Sequence, residues 1–120
     1  MAELFGRASL GPDNYVIDDW NALYSTSSST VGGLMFDFSI TNTTPMSGLP
    51  AKTITVEAKI IDRDGKLVHY ILAPHKIEPN GVAWDTSQKI VFEPGDKLMI
   101  KANAHGISFY AAIVKGLKII

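Results

Sequence analysis

The sequence predicts an all-β domain, an antiparallel two-sheet β-sandwich of the jelly-roll type with about eight short strands and an extended N-terminal arm. Two observations lead to this fold class. Apolar and polar residues alternate in short segments from residue 31 onward, which is the period of a strand with one buried face. Turn pairs that contain glycine separate those segments: Asp64-Gly65, Asn80-Gly81, Pro94-Gly95 and His105-Gly106.

The chain of 120 residues is long enough for one compact core and too short for a second globular domain. Residues 1–24 mix glycine and proline with scattered large apolar side chains, and they hold no regular period. We therefore expect an N-terminal arm over residues 1–24 and the sandwich domain over residues 25–120, of which the polar residues 25–30 favour a loop. Because the sequence has no cysteine, packing, hydrogen bonding or assembly must stabilise the fold.

The first convincing strand covers residues 34–41, where every even-numbered position is apolar. The predicted core face consists of Leu34, Phe36, Phe38 and Ile40. The predicted solvent face consists of Met35, Asp37, Ser39 and Thr41. Residues 42–50 contain two prolines and a glycine, which predicts a loop, and the alternation resumes over residues 54–60. The turn Asp62-Arg63-Asp64-Gly65 then leads into residues 67–72, which predicts a β-hairpin.

Four more strands are predicted over residues 82–84, 89–92, 97–102 and 107–114. The turns before and between them, at residues 78–81 and 93–96, place proline at the second turn position, with Asn-Gly or Gly-Asp after it. The strand over residues 107–114 is apolar on both faces. Either the N-terminal arm covers its second face or a neighbouring subunit does. The isoleucines at the end of residues 117–120 suit either docking or a short closing strand.

Charge and hydropathy limit the classes of partner. Lys and Arg together number 11 and Asp and Glu together number 12, so the formal net charge is −1, and neither sign forms a run. Proteins that bind the phosphate backbone usually carry a basic stripe, so we expect no direct nucleic-acid partner. No apolar stretch reaches the roughly 20 residues that span a bilayer, and residues 1–6 lack the features of a secretory signal. We therefore expect no membrane partner and synthesis as a soluble protein in the cytosol.

No residue pattern predicts catalysis, a cofactor or a metal site. His69, His75 and His105 lack the short spacing of metal ligands. The turn at residues 62–65 is similar to the opening of a calcium loop, but it lacks the third acidic position and the distal glutamate, so turn chemistry explains it. No serine lies in a Gly-x-Ser-x-Gly elbow, and a metal-dependent cupin would need clustered histidines and carboxylates. We expect a protein without enzymatic activity.

Aromatic residues allow a different function, a carbohydrate-binding platform on one face of the sandwich. The residues that would form it are Trp20, Tyr24, Tyr70, Trp84 and Tyr110. Packing of such residues in a core or at an interface is the competing interpretation. The alternative function is thus a carbohydrate- or receptor-binding module that uses Trp84, Tyr70 or Tyr110 together with polar groups of the loops.

Short motifs follow one another in a characteristic order along the chain. They are Leu-Tyr at 23–24, Ile-Thr-Asn-Thr-Thr at 40–44, the turn at 62–65, Val-Phe-Glu-Pro-Gly-Asp-Lys-Leu at 91–98 and Ala-Asn-Ala at 102–104. Over about residues 23–116 this order resembles that of small β-sandwich virion proteins of tailed bacteriophages. The resemblance implies a structural component on the head surface, as in capsid decoration, or in the neck, tail or baseplate. It implies no catalytic residues.

The function predicted from the sequence is therefore a structural component of a phage virion that forms a homo-oligomer and docks onto capsid, neck or tail subunits. Its location would be the virion, after synthesis in the host cytoplasm. An aromatic arm ahead of a sandwich suits contact with a neighbouring subunit. The interface candidates are apolar residues without an obvious place in the core: Leu4, Phe5, Tyr15, Trp20, Tyr110, Val114 and Ile119.

Overall fold

The computed structural model describes residues 5–26, 31–86 and 89–118, and of residues 5, 31, 83–86 and 115–118 it describes the backbone. Nine strands and no helix occur in this part of the chain. The strands are β1 Phe5–Leu10, β2 Asn21–Ser25, β3 Val31–Asn42, β4 Ile54–Ile61, β5 Leu67–Ile77, β6 Val82–Thr86, β7 Ile90–Phe92, β8 Lys97–Ala102 and β9 Ile107–Lys118. No helix of these residues is long and apolar enough to cross a membrane.

The strands form two antiparallel sheets. Sheet I has the order β1-β9-β3-β6, and β7 also pairs with β3. Sheet II has the order β2-β8-β4-β5. The two sheets pack face to face around one core, so the all-β, two-sheet sandwich that the sequence predicts is confirmed.

The core lies between the inner faces of the two sheets. Strand β4 shows the expected alternation, since its residues are buried and half-buried in strict turn from Ile54 to Ile61. Complete burial of one large apolar side chain contributes about 1.5–3 kcal/mol to the free energy of unfolding, and in a chain without cysteine this burial is the main source of stability. The largest fully buried side chains are Phe38, Phe92, Phe109, Met35, Ile40, Ile54, Ile60, Leu98, Ile100, Ile107, Ile113 and Val56.

The predicted faces of β3 are wrong at the start of the strand. A β-bulge shifts the pairing with β9 between Met35, which lies opposite Ile113, and Asp37, which lies opposite Ala112. Met35 is therefore fully buried, whereas Phe36 is 37% exposed. One inserted residue moves each preceding side chain of the strand to the opposite face of the sheet, so Leu34 also lies on the outer face. Phe38 and Ile40, beyond the bulge, are buried as predicted.

The predicted N-terminal arm is wrong for residues 5–24. Strand β1 pairs with β9 over its whole length, and β2 pairs with β8, so this region adds one strand to each sheet. Tyr15, between the two strands, is 5% exposed and belongs to the core. The predicted boundary at residue 24 falls inside β2. These strands are too short for a clear period, and their paired residues lie 72 to 109 positions further along the chain, beyond what a local pattern detects.

Side chains of the turn motifs form hydrogen bonds with the backbone at the ends of the sandwich. In the turn at residues 62–65, the Asp62 carboxylate accepts hydrogen bonds from the backbone N–H groups of Asp64 and Lys66, which confirms the predicted hairpin. Asn42, fully buried, donates from Nδ2 to the carbonyls of Lys52 and Ile77, and its Oδ1 accepts from the Thr44 hydroxyl at 2.6 Å. The conspicuous polar residues of both motifs thus hold loops in place.

Candidate interaction surfaces

The outer face of sheet I carries a contiguous apolar surface. Leu34 on β3 lies in register with Val91 on β7 at one side and with Val114 on β9 at the other. Val91 is 60% exposed. Phe36 joins this row because the bulge turns it outward, and Tyr110, at 36% exposure, extends the surface along β9. We call this surface the apolar face; it consists of Leu34, Phe36, Val91, Tyr110, Ala112 and Val114.

Two charged residues flank the apolar face in a single row across the strands. Ala112 on β9 pairs with Arg7 on β1 and with Asp37 on β3. Across the neighbouring strands β1, β9 and β3, this row places a cation, a methyl group and a carboxylate side by side. The apolar face lies on β9, β3 and the three-residue strand β7, and with strands about 4.8 Å apart and about 3.3 Å per residue its area is about 200 Å².

The structure separates the interface candidates into different places. Tyr110 and Val114 lie on the apolar face, and the backbone of Phe5 pairs with that of Val114. Strand β1 lies beside β9 in the same sheet, so the arm does not cover the second face of β9 in the described structure. Tyr15 is buried, so its selection as an interface residue is wrong. Leu4 and Ile119 fall outside the described residues.

Sequence reasoning missed three members of the apolar face: Leu34, Phe36 and Val91. The alternation of β3, continued through the bulge, predicts core positions for Leu34 and Phe36. Val91 lies on a strand of only three residues, too short for an alternation to show its face. Each of the three becomes visible only from the register between strands.

A second surface lies on the outer face of sheet II, where the loop of residues 16–20 places Trp20. The Nζ atom of Lys59, on β4, lies 4.0 Å from the centroid of the Trp20 ring, and that of Lys101, on β8, lies 5.6 Å from it. The Tyr70 ring, on β5, meets Trp20 edge to face at 6.5 Å. We call Trp20, Lys59, Tyr70 and Lys101 the Trp20 cluster.

The loop before Trp20 is tightly held. The Asn21 side chain accepts a hydrogen bond from Val16 N–H and donates to the carbonyls of Val16 and Asp19. Asp18 N–H donates to the Ala102 carbonyl on β8 at 2.8 Å. Asp18 has a φ of 58°, in the left-handed region that few side chains adopt. The loop therefore has one defined conformation that sets the direction of the indole.

Tyr15 anchors the other end of this loop. Its hydroxyl donates to the Ala104 carbonyl at 2.7 Å and accepts from Ile107 N–H at 3.1 Å. Burial raises the pKa of the Tyr15 hydroxyl above its usual value. The Nε2–H of His105 donates to the Tyr15 carbonyl at 3.0 Å, and the Tyr15 ring packs edge to face on Phe109.

The five aromatic residues of the predicted platform do not come together. Trp20 and Tyr70 meet on sheet II, whereas Tyr110 lies on the outer face of sheet I. Tyr24 packs on Phe92 at 5.3 Å, and burial raises the pKa of its hydroxyl. The side chain of Trp84 lies outside the described part of the structure.

The titratable groups that sequence analysis considered for metal binding are dispersed. His69 and His75 lie on β5, where the sequence places His75 in a loop, and His105 lies next to the Tyr15 carbonyl. In residues 5–26, 31–86 and 89–118, no three His, Asp or Glu side chains are grouped so that they could hold a metal ion.

Asp96 is a buried carboxyl with a structural role. It is 5% exposed, and its Oδ2 accepts from Glu93 N–H at 2.9 Å within the turn at residues 93–96. Loss of hydration raises the pKa of the Asp96 carboxyl above its usual value, against the opposing effect of that hydrogen bond. Arg63 Nη2 donates to the Pro94 carbonyl at 3.0 Å, so the hairpin at residues 62–65 rests on the same turn.

Comparison with known proteins yields a likeness of shape alone. No protein-family model matches the sequence, and no curated protein matches it. A chain of the T13 IBDV viral particle, an icosahedral virus structure, aligns with 97% of this chain at a TM-score of 0.39 and 11% identity. The aligned part spans 32% of that viral chain.

Proposed function

We propose that the chain is a non-enzymatic structural subunit of a tailed-phage virion, which assembles with further copies of itself and with capsid, neck or tail subunits. The observation that carries this proposal is the apolar face of sheet I. The order of the motifs over residues 23–116 supports the phage assignment, and the sandwich fold agrees with it.

The apolar face has the properties of a surface that is covered in an assembly. Its side chains come from three adjacent strands, so they form one patch rather than scattered exposed residues. The largest contiguous apolar patch on a soluble protein is often a functional surface. The patch lies on the paired strands β3 and β9, and its backbone is consequently rigid before any partner arrives.

A second copy of the same chain fits this face by charge. With a two-fold axis parallel to β9 in the interface plane, Arg7 of one copy lies over Asp37 of the other, because these residues flank Ala112 on opposite sides. On β9, Tyr110, Ala112 and Val114 then meet their own counterparts across the axis, whereas β3 of one copy lies over β1 of the other. The net charge of −1 adds almost no long-range repulsion between copies.

The size of the apolar face sets the strength of this contact. About 200 Å² per copy is well below the roughly 800 Å² per partner that a stable interface buries. We therefore expect weak self-association in solution that becomes effective when a shell or tube presents many copies together.

The association is tested by sedimentation equilibrium over a range of concentrations. Val114→Lys should weaken self-association at least about tenfold, since Val114 lies on β9 and the two introduced ammonium groups would face each other across the axis. Val68→Lys on β5 is the matched control, because Val68 is 53% exposed and lies on the other sheet. Equal weakening by both variants would contradict the proposal.

The orientation is tested by exchanging the charges. Asp37→Arg should weaken association, and addition of Arg7→Asp should restore it, because the exchanged pair faces itself again across the axis. Weaker self-association of the double variant than of either single variant would exclude this two-fold arrangement. Immunogold labelling of the purified phage tests the location, and unlabelled particles would contradict a virion role.

A second candidate function, carbohydrate or receptor binding, is favoured by the Trp20 cluster. It differs from the sequence-based alternative in its residues: Tyr70 is retained, Trp20 takes the central position, and Tyr110 is excluded because it lies on the other sheet.

A further inference from the structure

We propose that the Trp20 cluster is a binding site for a neutral saccharide. This inference rests on the second candidate function and is independent of assembly through sheet I, because the two surfaces lie on opposite sides of the sandwich. The cluster combines an aromatic ring with polar groups on three strands, and the ring is placed by a loop of defined conformation.

Preorganisation is the first argument. The Trp20 backbone N–H donates to the Asp19 carboxylate at 2.9 Å, and Asn21 closes the same loop with three hydrogen bonds. Asp18 keeps a left-handed conformation, which few side chains adopt, and its N–H donates to the Ala102 carbonyl on β8. Loops of fixed conformation that present an aromatic side chain lose little entropy when a ligand binds.

The chemistry of the surrounding groups is the second argument. Lys59 and Lys101 supply hydrogen-bond donors, and both direct their ammonium groups to the Trp20 ring. Acceptors come from Glu57, in register with Lys101 across β4 and β8, and from Asp19, whose carboxylate accepts from the Trp20 backbone N–H. A sugar hydroxyl both donates and accepts, so this mixture suits a polyol.

The same mixture argues against charged ligands. An anionic ligand would be repelled by Asp18, Asp19 and Glu57, and a cationic ligand by Lys59 and Lys101. A neutral saccharide is repelled by neither set of charges. Its apolar ring face packs on an aromatic ring, and its hydroxyls form hydrogen bonds with the flanking charged groups. The half-buried Trp20 ring and the Tyr70 ring, 40% exposed, offer the aromatic surface.

The site also lacks competing ion pairs. Among the residues that the structure describes, Lys59 and Lys101 form no ion pair. A ligand therefore approaches ammonium groups that contact the Trp20 ring and no carboxylate. Hydrogen bonds donated by the two ammonium groups to a bound saccharide can replace these exposed cation–π contacts.

The test is isothermal titration of the full chain with neutral hexasaccharides of glucose, galactose, mannose and N-acetylglucosamine, and with oligogalacturonate as the anionic counterpart. At least one neutral probe should bind with a Kd below about 1 mM, and the anionic probe should bind at least about tenfold more weakly. Trp20→Ala should abolish binding, and Lys59→Gln should weaken it about threefold to tenfold. Val82→Ala, at a 59% exposed position on β6 of sheet I and outside the apolar face, is the control and should leave the Kd unchanged.

The outcomes separate this inference from the functions on which it stands. Preferred binding of oligogalacturonate would overturn the neutral ligand while the binding function remains. Wild-type affinity in Trp20→Ala, with its thermal transition intact, would overturn the site. A flat response to every probe would overturn the inference and the second candidate function, whereas the self-association of Val114→Lys would still test the virion proposal separately.

Discussion

The outer faces of the two sheets differ in how their surfaces arise. On sheet I the apolar face is built from strand residues that adjoin one another through register, as Leu34 adjoins Val91 and Val114. On sheet II the outward positions of β4 include Glu57 and Lys59, and the aromatic ring comes from a loop outside the strands. A sandwich can thus present a flat face suited to a protein and a polar, preorganised one suited to a small ligand.

The contrast follows from the strands that form each face. Strand β9 is apolar at both its inward and its outward positions, whereas β4 alternates apolar residues with charged and polar ones. The inward residues of both strands fill the same core. The two outer faces therefore differ in the side chains that they present to solvent, although the same core stabilises both sheets. The following variants separate the contribution of each face from that of the core.

Deletion of residues 1–22 should have the largest effect, because it disrupts both faces at once. It removes β1 from sheet I, Tyr15 from the core and the Trp20 loop from sheet II. Loss of a buried aromatic residue alone costs about 3–5 kcal/mol, a large part of the stability of a small domain. Circular dichroism should show no cooperative thermal transition, and a sharp transition near that of the full chain would restore the separate-arm interpretation.

Tyr15→Phe should lower the free energy of unfolding, because the Tyr15 hydroxyl holds the segment between β8 and β9. The ring remains in the core, but the Ile107 N–H and the Ala104 carbonyl lose their partner. A buried polar group without a hydrogen bond costs about 1–3 kcal/mol, so urea denaturation should show a loss of this size. An unchanged free energy of unfolding would mean that these groups find other partners.

Asn21→Ala should act on sheet II alone. The loop of residues 16–20 loses three hydrogen bonds to the Asn21 side chain, and stability should fall by about 1 kcal/mol because these groups are exposed. Amide exchange should accelerate at Val16, while self-association through the apolar face stays at the wild-type value. A change in self-association would show that the two faces are coupled.

Asp96→Asn should have the smallest effect, confined to a range of pH. The pKa of the Asp96 carboxyl is raised in the folded protein above its value in the unfolded chain, so folding takes up protons between the two values. The free energy of unfolding should therefore fall as the pH rises through that interval. The decline should be absent in Asp96→Asn, whose amide oxygen can still accept from Glu93 N–H.

The control for Asp96 is Asp64→Asn, an exposed residue of the other turn. Urea denaturation from about pH 3 to about pH 7 covers the interval in which carboxyl groups titrate. Asp64→Asn should keep the decline of the wild type. A decline of equal slope in all three proteins would assign it to other carboxyl groups.

The sequence by itself determined the fold class, the turns and the inner face of β4, because strand period and turn chemistry are local properties. It also marked β9 as apolar on both sides, which led to Tyr110 and Val114. Only the tertiary structure decided the bulge at Phe36, the inclusion of residues 5–25 in both sheets and the meeting of Trp20 with Lys59 and Lys101. Register and strand partnership depend on residues far apart in the chain, and one inserted residue exchanges the two faces of a strand.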